Sequence, residues 1–493
     1  MDVKFMPYNG KYARQTSQRP KWPLVLLILL IIGCAFVAFA LFSNGSAPPK
    51  ADNPQVENLS AAATELPNWL NATQNTTRTT EPIENTTPPE PVFYTASIGS
   101  MGDLLMHKPV FDSQYSAAVY QNGIYNFDSI FQYIKEDISA LDYAIVNLET
   151  TLASNTNYPY SGYPNFNCPD EVVDGVKAAG FDMMLTANNH SYDTGITGYK
   201  RTVNVISEKG LETLGTYDTP DSTKWTVQNI NNVNVGMLCY TYATSETNGR
   251  PALNGGSPIK EAGLCNYFTY ENLDKFYAEV EGYLAEMKEA GADATMLFIH
   301  WGEEYQLSEN ATQQKMAQKL CNLGIDVIVG GHPHVVQPID LLESTEDPEH
   351  KTVCLYSMGN AVSNQRQGAI SAINTAHTED GVLFSVEFTK YEGGETYVSG
   401  VSVTPTWVNM FTNENKRREY NILPLNRDSV DSWQEDFDLS DATYNKAKES
   451  FDRTMDIVGE GLKEVQNYID SYVPDTGAPA ALFSMARNAR TEN

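Results

Sequence analysis

From Val92 onward the chain repeats one pattern: a short apolar run of β type, a knot of Asp, Asn, His or Glu, then a helix-type segment. Short apolar runs bounded by turn residues mark buried strands, and their alternation with longer amphipathic stretches marks an α/β domain. The β-type runs fall at 93–99, 143–147, 182–186, 233–240, 294–300, 326–330, 352–357, 382–389 and 397–404. Helix-type segments fall at 127–141, 169–179, 196–209, 271–290 and 311–323. The later runs have no helix between them, which predicts a sheet that is partly antiparallel. Residues 440–472 carry Tyr444, Ala447, Phe451, Met455, Val458, Leu462, Val465 and Ile469 at three- and four-residue steps, the pattern of a long amphipathic helix packed on the same domain.

The polar knots carry the chemistry. Ligands in α/β folds gather where strands end. The first knot is Gly102-Asp103 with His107 beyond it, and the second is Asn147-Leu148-Glu149. The third runs from Asn188 through Asn189, His190 and Asp193 to Gly195. The fourth is His300-Trp301-Gly302-Glu303-Glu304-Tyr305, the fifth Gly331-His332-Pro333-His334, and the sixth Met358-Gly359-Asn360. One isolated histidine is most simply a satisfied surface or core residue, but five of the seven histidines lie in these knots. In extended chain, residues i and i+2 share a side, so His332 and His334 can face one ion. Oxygen and imidazole donors without thiolates suit Mn, Fe or Zn. Asp103, Glu149, Asn189, His300, His332 and His334 would serve one divalent ion, or two sharing a bridging carboxylate. His190, beside a ligand, could donate a proton to a leaving group. His107, Glu303, Glu304 and Asn360 are further candidates for metal or substrate contacts. Asp193 and Gly195 read as a helix-start turn, and Trp301 as packing.

The motif series GD, NLE, NNHSYDTGITGY, HWGEEY, GGHPHVVQPI and YSMGN, spread over about residues 93–365, resembles the CapA family of poly-γ-glutamate capsule biosynthesis proteins. These are related to the calcineurin-like metallophosphoesterases. The resemblance implies a four-layer α/β/β/α metallophosphoesterase-like sandwich with a two-metal site built from sheet-edge loops. It would make Asp103 the opening ligand, Glu149 the bridging carboxylate, Asn189 a ligand, His190 the catalytic histidine, and His300, His332 and His334 the later ligands. Two positions depart from the related phosphoesterases. Leu105 stands where they have a histidine, and Glu149 where they have an aspartate. One metal, or a substrate other than a phosphoester, therefore stays open.

Upstream of the domain lies a second constraint. Residues 24–42 are uncharged and apolar, and as a helix would extend about 28 Å, close to a bilayer core. Trp22 lies at its edge, and Lys4, Lys11, Arg14, Arg19 and Lys21 precede it, so the N-terminus is expected in the cytoplasm and the rest outside. A signal anchor at the cell membrane is the favoured reading; a lipid anchor on Cys34 is the other. Residues 43–91, rich in Asn, Thr, Pro and Glu, lack the apolar surface to offset ordering. The expected organisation is a cytoplasmic basic tail (1–23), a transmembrane signal anchor (24–42), a disordered stalk (43–91), a CapA-like domain (92–430), a helical segment (431–474) and a flexible tail (475–493). Cys239, Cys321 and Cys354 read as buried, whereas Cys168 and Cys265 lie in loop-like stretches where they could pair.

The net charge of −29 argues against a nucleic-acid partner. A polyanionic polymer is compatible with it, because exposed charges are screened over about 8 Å and bound cations invert the field locally. The expected partners are the membrane, a cell-envelope polymer such as poly-γ-glutamate, and polymer synthase subunits. Three functional readings follow: a metal-dependent hydrolase or transferase, a non-catalytic assembly factor, and a phosphoesterase acting on nucleotide or lipid-linked phosphate.

Overall fold

The computed structural model describes residues 92–474 apart from 116–124, 157, 247–249, 255–257 and 370–372. The expected basic tail, signal anchor, stalk and C-terminal tail lie outside the described residues. Among the described residues no helix is long and apolar enough to cross a membrane.

Among the described residues seventeen strands follow one another: β1 (Phe93–Leu104), β2 (Tyr143–Leu148), β3 (Met183–Leu185), β4 (Glu212–Leu214), β5 (Thr226–Ile230), β6 (Val233–Tyr242), β7 (Ser245–Glu246), β8 (Pro251–Ala252), β9 (Tyr267–Phe268), β10 (Ala294–His300), β11 (Val327–Gly331), β12 (Val336–Glu343), β13 (Lys351–Met358), β14 (Asn360–Val362), β15 (Asp380–Tyr391), β16 (Thr396–Thr412) and β17 (Arg418–Pro424). The longer helices are α1 (Glu171–Ala179), α2 (Gly195–Glu208), α3 (Leu273–Glu289), α4 (Ala311–Asn322) and α5 (Asp441–Ser471).

Two mixed sheets form. The first runs β17-β16-β15-β1-β2-β3-β4, with β14 also paired to β1; the second runs β12-β13-β11-β10-β6-β5, with β9 on β6. The period-2 alternation of each strand sorts its side chains between two cores. Tyr143 and Ile145 of β2 join Met296 and Phe298 of β10 and Val327 and Val329 of β11 between the sheets. Ala144, Val146 and Leu148 of β2 pack outward with Val172, Val173 and Val176 of α1. Leu297 and Ile299 of β10 pack outward with Phe276 and Val280 of α3 and Met316 and Leu320 of α4. Burying each Val, Leu, Ile, Phe or Met side chain among these is worth about 1.5–3 kcal/mol. The resulting helix–sheet–sheet–helix order is a mixed α/β fold that fits a metallophosphoesterase-like domain.

Local sequence sets the ends of these elements. Gly180, at φ +105, closes α1 in the left-handed region. Asn310 and Gln313 form a capping box at the start of α4. The pattern at 127–141 resolves into two short helical pieces, Asp128–Phe131 and Lys135–Ser139. Ile130, Phe131, Ile134 and Ile138 are all buried there, so the spacing reported a buried face rather than one continuous helix.

Helix α5 follows its apolar spacing and packs on β12 and β16, one strand from each sheet. Ala447, Thr454, Val458, Leu462 and Val465 are buried, and Gly461 lets the helix backbone approach β12 closely. Ser450 Oγ donates to Asp380 Oδ1 at 2.6 Å, and Arg453 clasps both carboxylate oxygens through Nη2 at 2.7 Å and Nε at 2.8 Å. Cys168 and Cys265 are buried free thiols, not a pair.

The sheets are also joined by the chain itself. Strand β13 lies in the second sheet and β14 in the first, with only Gly359 between them. Gly359 has φ +69, and its carbonyl accepts from the Asp103 backbone N–H at 3.1 Å. A Cβ on Gly102 would stand 1.9 Å from that carbonyl oxygen. The register between β1 and β2 slips at the same place, between Met101 and Asp103. Such a slip re-aims the next side chain, here Asp103.

Candidate metal centre

The carboxyl ends of the parallel strands of both sheets meet at one edge. From the first sheet come Asp103 near the end of β1, Glu149 directly after β2, and Asn189 and His190 in the turn after β3. From the second come His300 as the last residue of β10, and His332 and His334 just after β11. Residues 294, 296 and 298 of β10 point between the sheets, and the same alternation turns His300 to that side. His332 and His334 have φ +97 and +56, uncommon for side-chain-bearing residues. Gly331 leaves the space beside Asp103 and His300 that a larger residue would narrow.

Two groups of potential ligand atoms form there, each within 4.8 Å: Glu149, His300 and His332 in one, Asp103, Glu149 and His334 in the other. Glu149 is common to both. It is 0% exposed, and neither carboxylate oxygen has a hydrogen-bond partner. Its Oε1 is 3.5 Å from His300 Nε2 and 4.0 Å from His190 Nε2, and its Oε2 is 3.9 Å from His334 Nδ1. His332 Nδ1 is likewise buried without a partner. Asp103 accepts from Asn147 Nδ2 at 2.7 Å and lies 3.1 Å from His334 Nδ1. Asn189 Oδ1 is 2.9 Å from His300 Nε2, so its oxygen borders the same space.

The electrostatics follow from this packing. Burial, then the Asp103, Glu304 and Asp193 charges, push the Glu149 carboxyl well above its ordinary value. Burial also opposes ionisation of Asp103, but His334, His300 and Asn147 carry its carboxyl below the ordinary value. Burial holds His300 down to about 3 and His332 well below the usual imidazole range. His334 is opposed by burial yet raised by its bond to Asp103. A buried carboxylate without donors is costly, and a cation removes that cost. The orphaned Glu149 oxygens, the orphaned His332 nitrogen and the all-oxygen-and-imidazole donor set fit one or two divalent ions.

The remaining candidates separate. His107 belongs to neither ligand group. Its Nδ1 is 3.2 Å from the Leu105 carbonyl and 3.3 Å from the Asn364 N–H, its ring meets Phe166 edge-on, and burial holds it down to about 4. Glu303 and Glu304 are exposed on the loop after His300 and also lie outside the groups. Asn360 is buried, and its Nδ2 faces the carbonyls of His334 and Thr378 and the Gln365 side chain. It thereby holds the loop that carries His334. Trp301 packs on Tyr356 and donates to its carbonyl at 2.9 Å. Tyr242 lines the site, its ring centroid 4.8 Å from that of His332.

One contact overturns a sequence reading. Asp193, read as a turn residue, places Oδ2 at 2.7 Å from His190 Nδ1. A nitrogen that close to a carboxylate oxygen carries its hydrogen, so Nε2 is the nitrogen that faces Glu149. The three-residue spacing in NHSYD was the available signal for this pair.

The sequence model described as "Bacterial capsule synthesis protein PGA_cap" matches residues 97–365, which contain every ligand candidate. The chain is 26% identical over 362 residues to the PGA biosynthesis protein CapA of Bacillus subtilis (strain 168), covering 71% of this chain and 84% of that protein. It is 29% identical over 252 residues to the capsule biosynthesis protein CapA of Bacillus anthracis, covering 49% of this chain and only 55% of that protein. Among solved structures, a SoxB sulfate thiohydrolase of Termus thermophilus overlaps 73% of this chain and 60% of its own, at 12% identity and a TM-score of 0.37.

Proposed function

Because the chain belongs to the bacterial capsule synthesis protein family PGA_cap, we propose that it serves the synthesis or export of a cell-envelope polymer of the poly-γ-glutamate type, as a membrane-anchored, extracytoplasmic, metal-dependent hydrolase or transferase. The observation that carries the catalytic part is Glu149, a fully buried carboxylate without a donor, shared by two acid–histidine groups. A structural role would favour a paired or apolar residue there. Asp103, Glu149, His300, His332 and His334, with Asn189 beside them, would hold one or two divalent ions. When bound, such ions polarise a substrate oxygen and lower the pKa of water.

The chain's own residues supply the rest. His190 directs Nε2 into the same space and takes its orientation from Asp193. When the ring carries a second proton, that proton sits on Nε2 with Asp193 balancing the charge, and it can pass to a leaving group as a bond breaks. Asn360 fixes the His334 loop through the backbone carbonyl. The uncharged run at 24–42 with basic residues before it supports the reading of a membrane anchor with the domain on the extracytoplasmic side.

The test is metal analysis of the purified full chain, together with His190→Ala and His332→Ala variants scored for polymer production. The expected result is bound Mn, Fe or Zn in the parent, lost in His332→Ala and retained in His190→Ala, with polymer lost in both. Normal polymer production from both variants would overturn the catalytic reading in favour of an assembly role.

A further inference from the structure

One polar side chain from a distant part of the chain reaches the His190–Asp193 pair without being a ligand. Asn254 lies two residues after β8, at φ +51, a left-handed conformation that asparagine tolerates better than most residues. Its Nδ2 donates to Asp193 Oδ1 at 2.9 Å and to the Pro164 carbonyl at 3.0 Å, and it lies 3.3 Å from His190 Nδ1. The other Asp193 oxygen accepts from His190 Nδ1 and from the Phe166 backbone N–H, each at 2.7 Å. Both oxygens of Asp193 therefore have fixed donors, and the carboxylate cannot turn without losing one. Asn254 also tethers residue 164, two positions before Phe166, whose ring meets the His190 ring edge-on at 4.7 Å.

We propose that Asn254 is a positioning residue, acting through Asp193 and the Pro164–Phe166 segment to hold His190 in the tautomer and orientation that present Nε2 to the site. The inference rests on the proton-donor reading of His190. Asn254 does not touch the ligand groups, and its loss should leave metal content unchanged.

Two variants separate the amide from the backbone. Asn254→Gly removes the donor and keeps the left-handed conformation accessible. Asn254→Asp replaces the donor with an acceptor facing Asp193. The full chain is labelled with ¹⁵N at its seven histidines, and the His190 signals are identified by their loss in His190→Gln. The parent is expected to show a single Nδ1–H tautomer. In Asn254→Gly the two ring nitrogens should move toward averaged values, and in Asn254→Asp further still. A parallel measurement uses phosphodiesters with a p-nitrophenol or an alkyl alcohol leaving group. The expected loss in kcat is about tenfold for the alkyl substrate and less than twofold for the nitrophenyl one, with KM unchanged. An unchanged tautomer in both variants overturns the proposal, as does an equal loss on both substrates. If the parent turns over neither substrate, that counts against phosphodiester chemistry at this site, while the tautomer measurement still decides the role of Asn254.

Discussion

Glu149 and Asp380 are both buried carboxylates, and the protein treats them in opposite ways. Asp380, at the start of β15, is met by Ser450 and by the Nε and Nη2 donors along one edge of the Arg453 guanidinium. Glu149 is met by imidazoles at 3.5–4.0 Å and by no donor at bonding distance. Burial raises the carboxyl of each. At Asp380, helix α5 delivers the compensating charge. At Glu149 the described residues supply none, and a bound cation would supply it. A carboxylate completed by the fold is structural, and one the fold leaves without donors is free to hold an ion.

Chelation should break this comparison most visibly. An ion held at a thousand times its Kd stabilises by about 4 kcal/mol, so a chelator should lower the stability of the parent by about that amount. Glu149→Gln, which removes the carboxylate common to both groups, should be insensitive to chelator. Melting curves with and without chelator check both, and a chelator-insensitive parent would mean that Glu149 is not awaiting a cation. Next in size is Asp380→Ala, which strands Arg453 and should cost about 3 kcal/mol in urea unfolding with metal content unchanged. Loss of metal in that variant would show that the two carboxylates are not independent. Gly461→Ala probes the route by which α5 reaches the sheet. Its added Cβ would stand 1.8 Å from the Ile339 carbonyl oxygen, and overpacking of this kind costs about 1–3 kcal/mol.

The most gradual effect is a slope. His107 is held neutral in the fold down to about pH 4, whereas the unfolded chain takes up that proton near pH 6.5. Stability is therefore complete above pH 6.5 and is lost as pH falls toward 4, by at most about 1.4 kcal/mol per pH unit. His107→Asn should flatten that part of the profile with or without metal. If bound metal alone abolished the slope, His107 would join the ligand set.

Much of this centre was legible because strand ends announce themselves. Asp103, Glu149, His300 and the His332/His334 pair each follow an apolar run, and buried strands need such runs. The long helix was legible because Ala447, Val458, Leu462 and Val465 must share one face. Contacts between distant segments were not legible. Asn254 lies 61 residues from Asp193, and no local pattern marks it. Asp193 obeyed the rules for a helix start, which hid its contact with His190. Asn360 suggested a substrate contact; its Nδ2 faces the His334 and Thr378 carbonyls and the Gln365 side chain, contacts no local pattern marks, while its Oδ1 is buried without a hydrogen-bond partner. Strands β5, β12 and β17 went unmarked because they carry polar residues at alternate or edge positions.

The single residue between β13 and β14 has a mechanical consequence. One half of the ligand set rides on the first sheet and the other half on the second, and the chain passes directly between them at Gly359. The gap that an ion would fill is thus spanned by covalent bonds, like a gauge block clamped between two plates. Core substitutions that loosen the sandwich can lower stability while leaving this gap nearly unchanged. A substitution at Gly102 or Gly359 would act on the gap itself, because a Cβ at either position would press on backbone oxygen beside it.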